Sequence, residues 1–291
     1  MESTETGGDG KVLSRFLPKD FSPSDGVTLL AGRGVYPYLC ARRMVRAGVR
    51  CNLIASEEAD DAVFDLFPPE GRARYNSGQI GKLLRRLEEY GSRYAIMAGQ
   101  IAPKRLFHGL KFDLTALRLL AALRRRNAET IFGTLADEIE RRGVRLLDAR
   151  AFMDDDLASA GFMTAARPNP RGIGEGISVA RSIAALDIGQ GIVARKGTTL
   201  AVEGFDGTDG MLRRCSEFQT DRKWFIKTSK PQQDFRFDVP IIGKRTLDAL
   251  DAGGIRAVAV EAGTTILLGR ECLIADADRR HIGIYGYEIP R

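Results

Sequence analysis

The stretch of residues 227–240 holds the charged side chains whose spacing is most suggestive of chemistry. After Pro231, charged and apolar residues alternate, and in an extended strand alternate side chains share one face at intervals of about 6–7 Å. The residues concerned are Asp234, Arg236 and Asp238, preceded by Lys227, Lys230 and Gln233. The pattern predicts a strand with one polar face. We favour metal-assisted attack of water on a phosphate over a solvated edge strand.

A second acidic cluster follows an apolar run and places three carboxylates within seven residues. Its acids are Glu203, Asp206 and Asp209, and Thr208 stands beside the last of them. Thr208 or Asp209 could cap the helix predicted to follow, but capping does not account for all three acids. Because carboxylates are ligands that Mg²⁺ prefers, the cluster is equally consistent with metal or phosphate chemistry.

Two glycine turns offer places for a phosphate. Gly32 and Gly34 precede a predicted helix, whose first N–H groups attract anions, and Gly81 is followed by Lys82. Each turn is also typical of a helix entry without a ligand. The third glycine of the dinucleotide motif is absent, but Glu57 after the second predicted strand keeps an NAD-binding alternative open.

The composition narrows the choice of chemistry. The 291 residues include only two histidines, His108 and His281, and neither has an acid or cysteine neighbour at ligand spacing. Zinc hydrolysis and a Ser-His-Asp relay are therefore disfavoured, and carboxylates with Mg²⁺ become the expected machinery of a hydrolase. The net charge of +6 favours anionic partners. The dispersed basic residues argue against nucleic acid.

The chain is expected to be a cytoplasmic protein. Its four cysteines are scattered and no secretory leader is present, which predicts reduced thiols. No window approaches about 20 apolar residues, so no membrane span is expected. Residues 114–126 form an apolar stripe ending in three arginines. Those arginines complement a helix dipole, and they would also suit peripheral contact with an anionic lipid surface.

Apolar runs alternate with helical periodicity, which predicts an α/β fold with an N-terminal Rossmann-like parallel sheet and a second α/β domain. In the first half, strands are predicted at residues 27–31, 49–55, 94–98 and 145–147, and helices at 35–48, 79–90, 114–125 and 130–142. In the second half, helices are predicted at 177–186 and from 208, a hairpin at 191–203, and strands at 224–227, 257–261 and 265–268. We expect a flexible tail (1–26), a Rossmann-like domain (27–155), a linker (156–172) and a catalytic α/β domain (173–291). The ligand cleft is expected between the two domains.

Several motifs occur in one order along the chain. They are Gly32-x-Gly34-x-x-Pro37, Gly78-Gln79-x-Gly81-Lys82, Met97-Ala98-Gly99, Asp113-x-x-Ala116-Leu117-Arg118, Leu186-Asp187-Ile188-Gly189-Gln190, Glu203-x-x-Asp206-Gly207-Thr208-Asp209, Lys227-x-x-Lys230-Pro231-x-Gln233-Asp234-x-Arg236-x-Asp238-x-Pro240 and Glu261-Ala262-Gly263. Together they resemble the LpxI-type UDP-2,3-diacylglucosamine pyrophosphatase family across about residues 27–287. The blocks beginning at Glu203 and Lys227 are the most specific.

The resemblance implies an enzyme of lipid A biosynthesis. It would hydrolyse the pyrophosphate of UDP-2,3-diacylglucosamine to 2,3-diacylglucosamine 1-phosphate (lipid X) and UMP, with Mg²⁺ or Mn²⁺. It also implies a homodimer that acts peripherally at the cytoplasmic face of the inner membrane.

The resemblance also implies roles for individual residues. Asp238 matches the essential aspartate of the family and would be a metal ligand or general base. Asp209, as a second metal ligand, and Glu203 would assist it. The residues expected to contact phosphate or substrate are Lys227, Lys230, Gln233, Arg236, Gly32, Gly34, Gly81, Lys82 and Thr208.

One motif departs from the family pattern. Gly/Thr-Asp-Asp usually precedes the helix near Thr130, whereas Asn127-Ala128-Glu129 stands here. If the lost carboxylate pair assists binding, turnover would be slower or the substrate altered. A non-hydrolytic nucleotide-binding protein of the same fold therefore stays open as the alternative, with an NAD-dependent oxidoreductase as a third hypothesis.

Overall fold

The computed structural model describes residues 13–100, 112–121, 123 and 128–289, which form two compact units. The first unit ends at Asp154 and also contains Asp234–Asp238. The second comprises Asp155–Gln233 and Val239–Arg291. The chain therefore returns to the first unit for a short segment that the sequence had assigned to the second domain.

The first unit is built on a five-stranded parallel sheet in the order β3-β2-β1-β4-β5. Its strands are β1 (Val27–Ala31), β2 (Cys51–Ser56), β3 (Arg72–Tyr75), β4 (Tyr94–Ala98) and β5 (Arg145–Leu146). The helices described in this unit are α1 (Val35–Arg46), α2 (Ile80–Tyr90), α3 (Leu114–Ala121) and α4 (Ala128–Arg141). Strand residues such as Leu29, Leu53 and Ile96 are fully buried. Burial on both faces explains why the central strands read as continuous apolar runs, and the predicted Rossmann-like sheet is confirmed.

Residues 13–26 pack on this unit and are not the flexible tail that was expected. The ring of Phe21 lies 5.3 Å from that of Tyr94, centroid to centroid. Arg93 forms ion pairs with Asp20 and, at 3.0 Å, with Asp25. Residues 1–12 lie outside the described part of the chain.

The second unit is built on a mixed sheet in the order β6-β13-β11-β9-β7-β8. Its strands are β6 (Gly161–Phe162), β7 (Gly191–Arg195), β8 (Thr198–Val202), β9 (Trp224–Lys227), β11 (Ala257–Glu261) and β13 (Gly283–Tyr287). A separate parallel pair consists of β10 (Ile241–Ile242) and β12 (Ile266–Leu267). The helices are α5 (Ile173–Ala185), α6 (Gly207–Arg214), α7 (Lys244–Ala252) and α8 (Arg270–Arg279).

Two features of this unit bear on the sequence expectations. The predicted hairpin is confirmed: β7 and β8 pair antiparallel across Lys196 and Gly197, whose φ angles of 49° and 84° match a tight hairpin turn. Residues 156–172 are not a bare linker, because they contribute β6 to the sheet by antiparallel pairing with β13. None of the described helices is both long and apolar enough to cross a membrane.

A buried lysine ties together two helix ends in the second unit. Lys223 is 5% exposed, and its Nζ donates hydrogen bonds to the carbonyls of Cys215 at 2.8 Å and Gly253 at 2.7 Å. These carbonyls follow α6 and α7. The ammonium group therefore satisfies backbone oxygens that have no helical partner.

We expect Lys223→Met to lower the free energy of unfolding of this unit by about 2–3 kcal/mol, because it leaves two buried carbonyls without their charged donor. Urea unfolding followed by the fluorescence of Trp224, which is buried in β9, measures the change. Lys244→Met is the matched control, since Lys244 is exposed and pairs only with Asp248 in the described structure. A loss as small as that of the control would contradict the role of Lys223.

Candidate functional site

Several residues predicted for the site lie at one edge of the second sheet. β9, β11 and β13 run parallel, and β8 has the same direction because it pairs antiparallel with β7, which pairs antiparallel with β9. Their carboxyl ends therefore meet at one edge, where open α/β sheets usually bind ligands. Glu203, Lys227, Glu261 and Tyr287 stand at this edge.

Glu203 is the centre of a largely buried network at this edge. Thr208 Oγ1 donates a 2.6 Å hydrogen bond to Glu203 Oε1, and Lys227 Nζ lies 3.9 Å from Glu203 Oε2 and 3.4 Å from Thr208 Oγ1. The side chains of Lys227 and Glu203 are only 11% and 14% exposed. A Cβ at Gly189 would lie 2.3 Å from the Glu203 carbonyl oxygen, so the approach requires glycine. The fold thus brings three predicted site residues into mutual contact.

The other two acids of the cluster are bound by separate arginines. Arg214 donates a 2.8 Å hydrogen bond to Asp206, and this bond is the main cause of the lowered pKa of Asp206. Arg245 lies 2.8 Å from Asp209. Within the described part of the chain, no group of three His, Cys, Asp or Glu side chains has the placement to hold a metal ion. Asp206 and Asp209 are therefore held in ion pairs in this structure, and the metal binding expected from their spacing stays a prediction.

The loop that follows β9 is ordered by an acid whose role the sequence reasoning missed. Glu261, at the end of β11, accepts hydrogen bonds from the amide of Ser229 at 3.1 Å and from its hydroxyl. Lys230 forms an ion pair with Asp187, and the Lys230 amide donates to Gln233 Oε1 at 2.7 Å. The sequence does contain a signal for Glu261, because this acid comes directly after an apolar run, as Glu203 does.

Residues 234–238 form a turn, so the prediction of a strand is wrong here. The amides of Phe237 and Asp238 both donate to the Asp234 carbonyl, at 3.3 and 3.0 Å. The Asp234 carboxylate also accepts a hydrogen bond from the Arg236 amide at 3.1 Å. An aspartate that binds its own backbone two residues on favours chain reversal over extension. The alternating polar residues therefore do not share a strand face.

Three carboxylates surround the guanidinium group of Arg236. Its Nε and Nη2 contact Asp234 at 3.0 and 2.7 Å, Nη1 contacts Glu140 at 2.7 Å, and Nη2 contacts Asp137 at 3.1 Å. Asp137 and Glu140 belong to α4. We call these four residues the Arg236 anchor. Because the donors of Arg236 are directed at carboxylates, its geometry fits attachment of the turn to α4 rather than the expected contact with a phosphate.

The aromatic residues of the turn reinforce this attachment. The Phe235 carbonyl accepts a 2.7 Å hydrogen bond from the amide of Ala149. The Phe237 ring stacks on Phe132 of α4, with 6.2 Å between ring centroids. Asp238, which is partly buried, follows directly. Its position is consequently fixed by contacts within the first unit.

The first glycine turn directly follows β1. The strand order of the parallel sheet reverses between β1 and its neighbour β4. Gly32 N donates to Ala98 O at 2.8 Å, and Arg33 and Gln100 exchange two backbone hydrogen bonds of 2.7 and 3.0 Å. A Cβ at Gly32 would lie 2.6 Å from the Gln100 oxygen. Gly34, with φ of 99°, is the N-cap of α1. The amides of Gly32 and Arg33 therefore stabilise the turn itself.

The second glycine turn lies at the start of α2 and packs against the start of α3. Gly81 N donates a 2.7 Å hydrogen bond to Asp113 Oδ2, while Asp113 Oδ1 accepts one of 2.8 Å from the amide of Ala116. A Cβ at Gly81 would approach Thr115 Oγ1 to 2.8 Å. Lys82 is exposed on the first turn of α2. Glycine at position 81 is thus required by helix packing.

One of the remaining predicted residues makes a structural contact, and the others lie in segments that the structure does not describe. Glu57, on which the NAD-binding alternative depended, accepts two 2.9 Å hydrogen bonds from the amide and hydroxyl of Ser77. The carboxylate therefore stabilises a local turn. His108, the three arginines at 124–126 and Asn127 of the departing motif lie outside the described residues.

Known proteins match this chain along both units. Residues 26–156 match the family model of the LpxI N-terminal domain, and residues 159–285 match that of the LpxI C-terminal domain. The chain is 30% identical over 274 residues to the UDP-2,3-diacylglucosamine pyrophosphatase LpxI of Caulobacter vibrioides. That alignment covers 89% of this chain and 96% of the relative.

The variant Arg236→Met tests the Arg236 anchor, because the stability that the anchor contributes should depend on pH. Burial alone would raise the pKa of Asp234, but hydrogen bonds from Arg236 outweigh burial and lower that pKa. A lowered pKa contributes stability while the acid is ionised, and this stability is lost as the pH falls through the native pKa. We therefore expect the variant to lose about 1–3 kcal/mol at neutral pH. The difference from the wild type should shrink below about pH 4.

Urea unfolding followed by circular dichroism across this pH range measures the difference between the two proteins. Arg222→Met is the control, because Arg222 is exposed and pairs with the exposed Asp221. A loss in Arg236→Met that stays constant from neutral to acidic pH would show that packing, not the ion pairs, is responsible.

Proposed function

Because the chain belongs to the LpxI family, we propose that it hydrolyses the pyrophosphate of UDP-2,3-diacylglucosamine. The products are UMP and 2,3-diacylglucosamine 1-phosphate, in a step of lipid A biosynthesis. The observation that carries this proposal is the match of both halves of the chain to the LpxI family models. The resemblance implies that Asp238 is the family's essential aspartate. The Caulobacter relative, which aligns over almost its whole length, is a UDP-2,3-diacylglucosamine pyrophosphatase, and this supports the choice of substrate.

We assign the role of general base to Asp238. Water attacks one phosphorus, a new P–O bond forms, and the bond from that phosphorus to the bridging oxygen breaks. Asp238 accepts the proton of the attacking water, and the bridging oxygen leaves with the other phosphate. The Arg236 anchor serves as a positioning device, since a catalytic group displaced by about 1 Å loses on the order of 10² in rate.

The lysines of the second unit supply positive charge for the phosphates in this proposal. Lys227 is held by Glu203 and Thr208, and Lys230 by Asp187. Cations fixed in advance stabilise the charge that develops during phosphoryl transfer without reorganising at that moment. Glu203 would then position Lys227 rather than take part in proton transfer.

The divalent cation is a prediction from the composition and from the family resemblance. Glu203 and Asp209, two of its expected assistants, are bound by Lys227 and Arg245, and this arrangement does not fit a metal. We therefore derive no step through a cation. Dimerisation, cytoplasmic location and peripheral membrane contact likewise stay proposals. Exposed apolar side chains at Leu186 and Phe205 support a lipid or protein contact.

Asp238→Asn is expected to reduce kcat for UMP release by about 10²–10⁴, because the amide cannot accept the proton of water. Release of UMP from UDP-2,3-diacylglucosamine, followed by chromatography, measures the rate. Asp155→Asn is the matched control, because Asp155 is an exposed aspartate outside the proposed site.

Two outcomes would contradict the proposal in different ways. If Asp238→Asn keeps the wild-type rate, Asp238 is not the base. If the wild type binds UDP-sugars tightly but releases no UMP, the chain is the non-hydrolytic binding protein considered as the alternative.

Chelation tests the requirement for Mg²⁺ or Mn²⁺. If the family cation is needed, EDTA treatment followed by desalting abolishes UMP release, and added Mg²⁺ or Mn²⁺ restores it. EDTA saturated with Mg²⁺ is the control for effects of the chelator itself. Turnover that persists in EDTA would contradict a requirement for the cation. It would agree with an acidic cluster whose carboxylates stay paired with Lys and Arg side chains.

A further inference from the structure

The N-terminal segment, residues 13–25, lies before the residues that match the LpxI N-terminal domain, and the chemistry described so far does not use it. Its later part is attached to the first unit by ion pairs to Arg93. Its earlier part makes a different contact. The amide of Arg15 donates a 3.1 Å hydrogen bond to Asp154, and the next residue, Phe16, presents its ring to a guanidinium group.

That guanidinium group belongs to Arg150, and it joins the N-terminal segment to the turn that carries Asp238. Its central carbon lies 4.5 Å from the ring centroid of Phe16 and 3.7 Å from that of Phe235, which is part of the turn. Both distances are within the range in which an arginine is attracted to an aromatic ring. We call Phe16, Arg150 and Phe235 the Arg150 bridge.

Arg150 is also held in place by polar contacts. Its Nε and Nη2 donate hydrogen bonds to Asp148 at 3.0 and 2.6 Å, and its side chain is only 15% exposed. The backbone beside it is fixed as well, because Tyr36 of α1 donates to the Ala149 carbonyl and the Ala149 amide donates to the Phe235 carbonyl at 2.7 Å. A cation that is largely removed from water gains more from an aromatic ring than an exposed one, so both rings contribute to the order of the turn.

We propose that the N-terminal segment is a positioning element for Asp238, which it reaches through the Arg150 bridge. This inference rests on the proposed function. The Arg236 anchor holds the turn through Asp234 and Arg236, and the Arg150 bridge holds the residue between them, Phe235. Two attachments restrict the turn more than one does. Asp238, three residues further on, is therefore kept closer to the position that proton transfer requires.

The variants Phe16→Leu and Phe16→Tyr test the bridge, because leucine keeps an apolar side chain without a ring and tyrosine keeps the ring. We expect Phe16→Leu to lower kcat for UMP release about tenfold, less than the factor of about 10² for a catalytic group displaced by about 1 Å, because the Arg236 anchor remains. KM should be nearly unchanged, since the bridge does not bind substrate in the proposed reaction. Phe16→Tyr should keep the kcat of the wild type.

Phe64→Leu is the matched control for these variants. The Phe64 ring also lies on an arginine of the first unit, with 4.3 Å between its centroid and the guanidinium carbon of Arg74, but it is not part of the Arg150 bridge. Its removal should leave kcat unchanged. Thermal unfolding compares the two leucine variants, and we expect Phe16→Leu to lose no more stability than Phe64→Leu.

Hydrogen–deuterium exchange separates this inference from the proposed hydrolysis. The amides of Phe237 and Asp238 donate to the Asp234 carbonyl, so their exchange reports opening of the turn. In Phe16→Leu these amides should exchange about 5- to 30-fold faster than in the wild type. Phe16→Tyr and Phe64→Leu should show the exchange of the wild type.

Unchanged exchange in Phe16→Leu, or an unchanged kcat while the wild type releases UMP, would overturn the role of the N-terminal segment. Losses in Phe16→Tyr or Phe64→Leu as large as those in Phe16→Leu would also overturn it, because the ring on Arg150 would not be their cause. If the wild type releases no UMP but exchange still rises in Phe16→Leu, the proposed function fails and the attachment of the segment to the turn stands.

Discussion

The attachment of Arg236 to three carboxylates is the interaction on which the proposed chemistry depends. A guanidinium group has donors in a fixed plane, so it can bind Asp234 through two nitrogens while also reaching Asp137 and Glu140. Without that cation, three acids would face one another and repel. The cluster thereby makes a segment from the second half of the chain part of the first unit, and Asp238 is carried with it.

The lysines at the edge of the second sheet are likewise held by acidic side chains. Lys227 and Lys230 are each paired with an acid, Glu203 and Asp187. In the proposed site an anionic substrate would compete with these acids, so the ion pairs would also limit how strongly the lysines attract unrelated anions. These ion pairs therefore keep the two lysine side chains ordered.

Much of the fold was predictable because local sequence carries the signal for its central elements. The apolar runs of β1, β4, β9 and β11 identify buried strands, and the hairpin at Lys196 and Gly197 follows from its turn residues. The short edge strands β3 and β6 were not predicted. Strands of this kind are stabilised by their neighbours in the sheet more than by their own composition.

For the site, the sequence alone determined which residues are candidates, and it placed Glu203, Thr208 and Lys227 in blocks that the fold brings together. Only the tertiary structure decided what Arg236 does. The alternation around it is compatible with a strand or with a turn, and two of its three carboxylates, Asp137 and Glu140, lie nearly a hundred positions earlier in the chain. No local pattern can encode a contact over that separation, because it exists only once α4 has packed against the sheet.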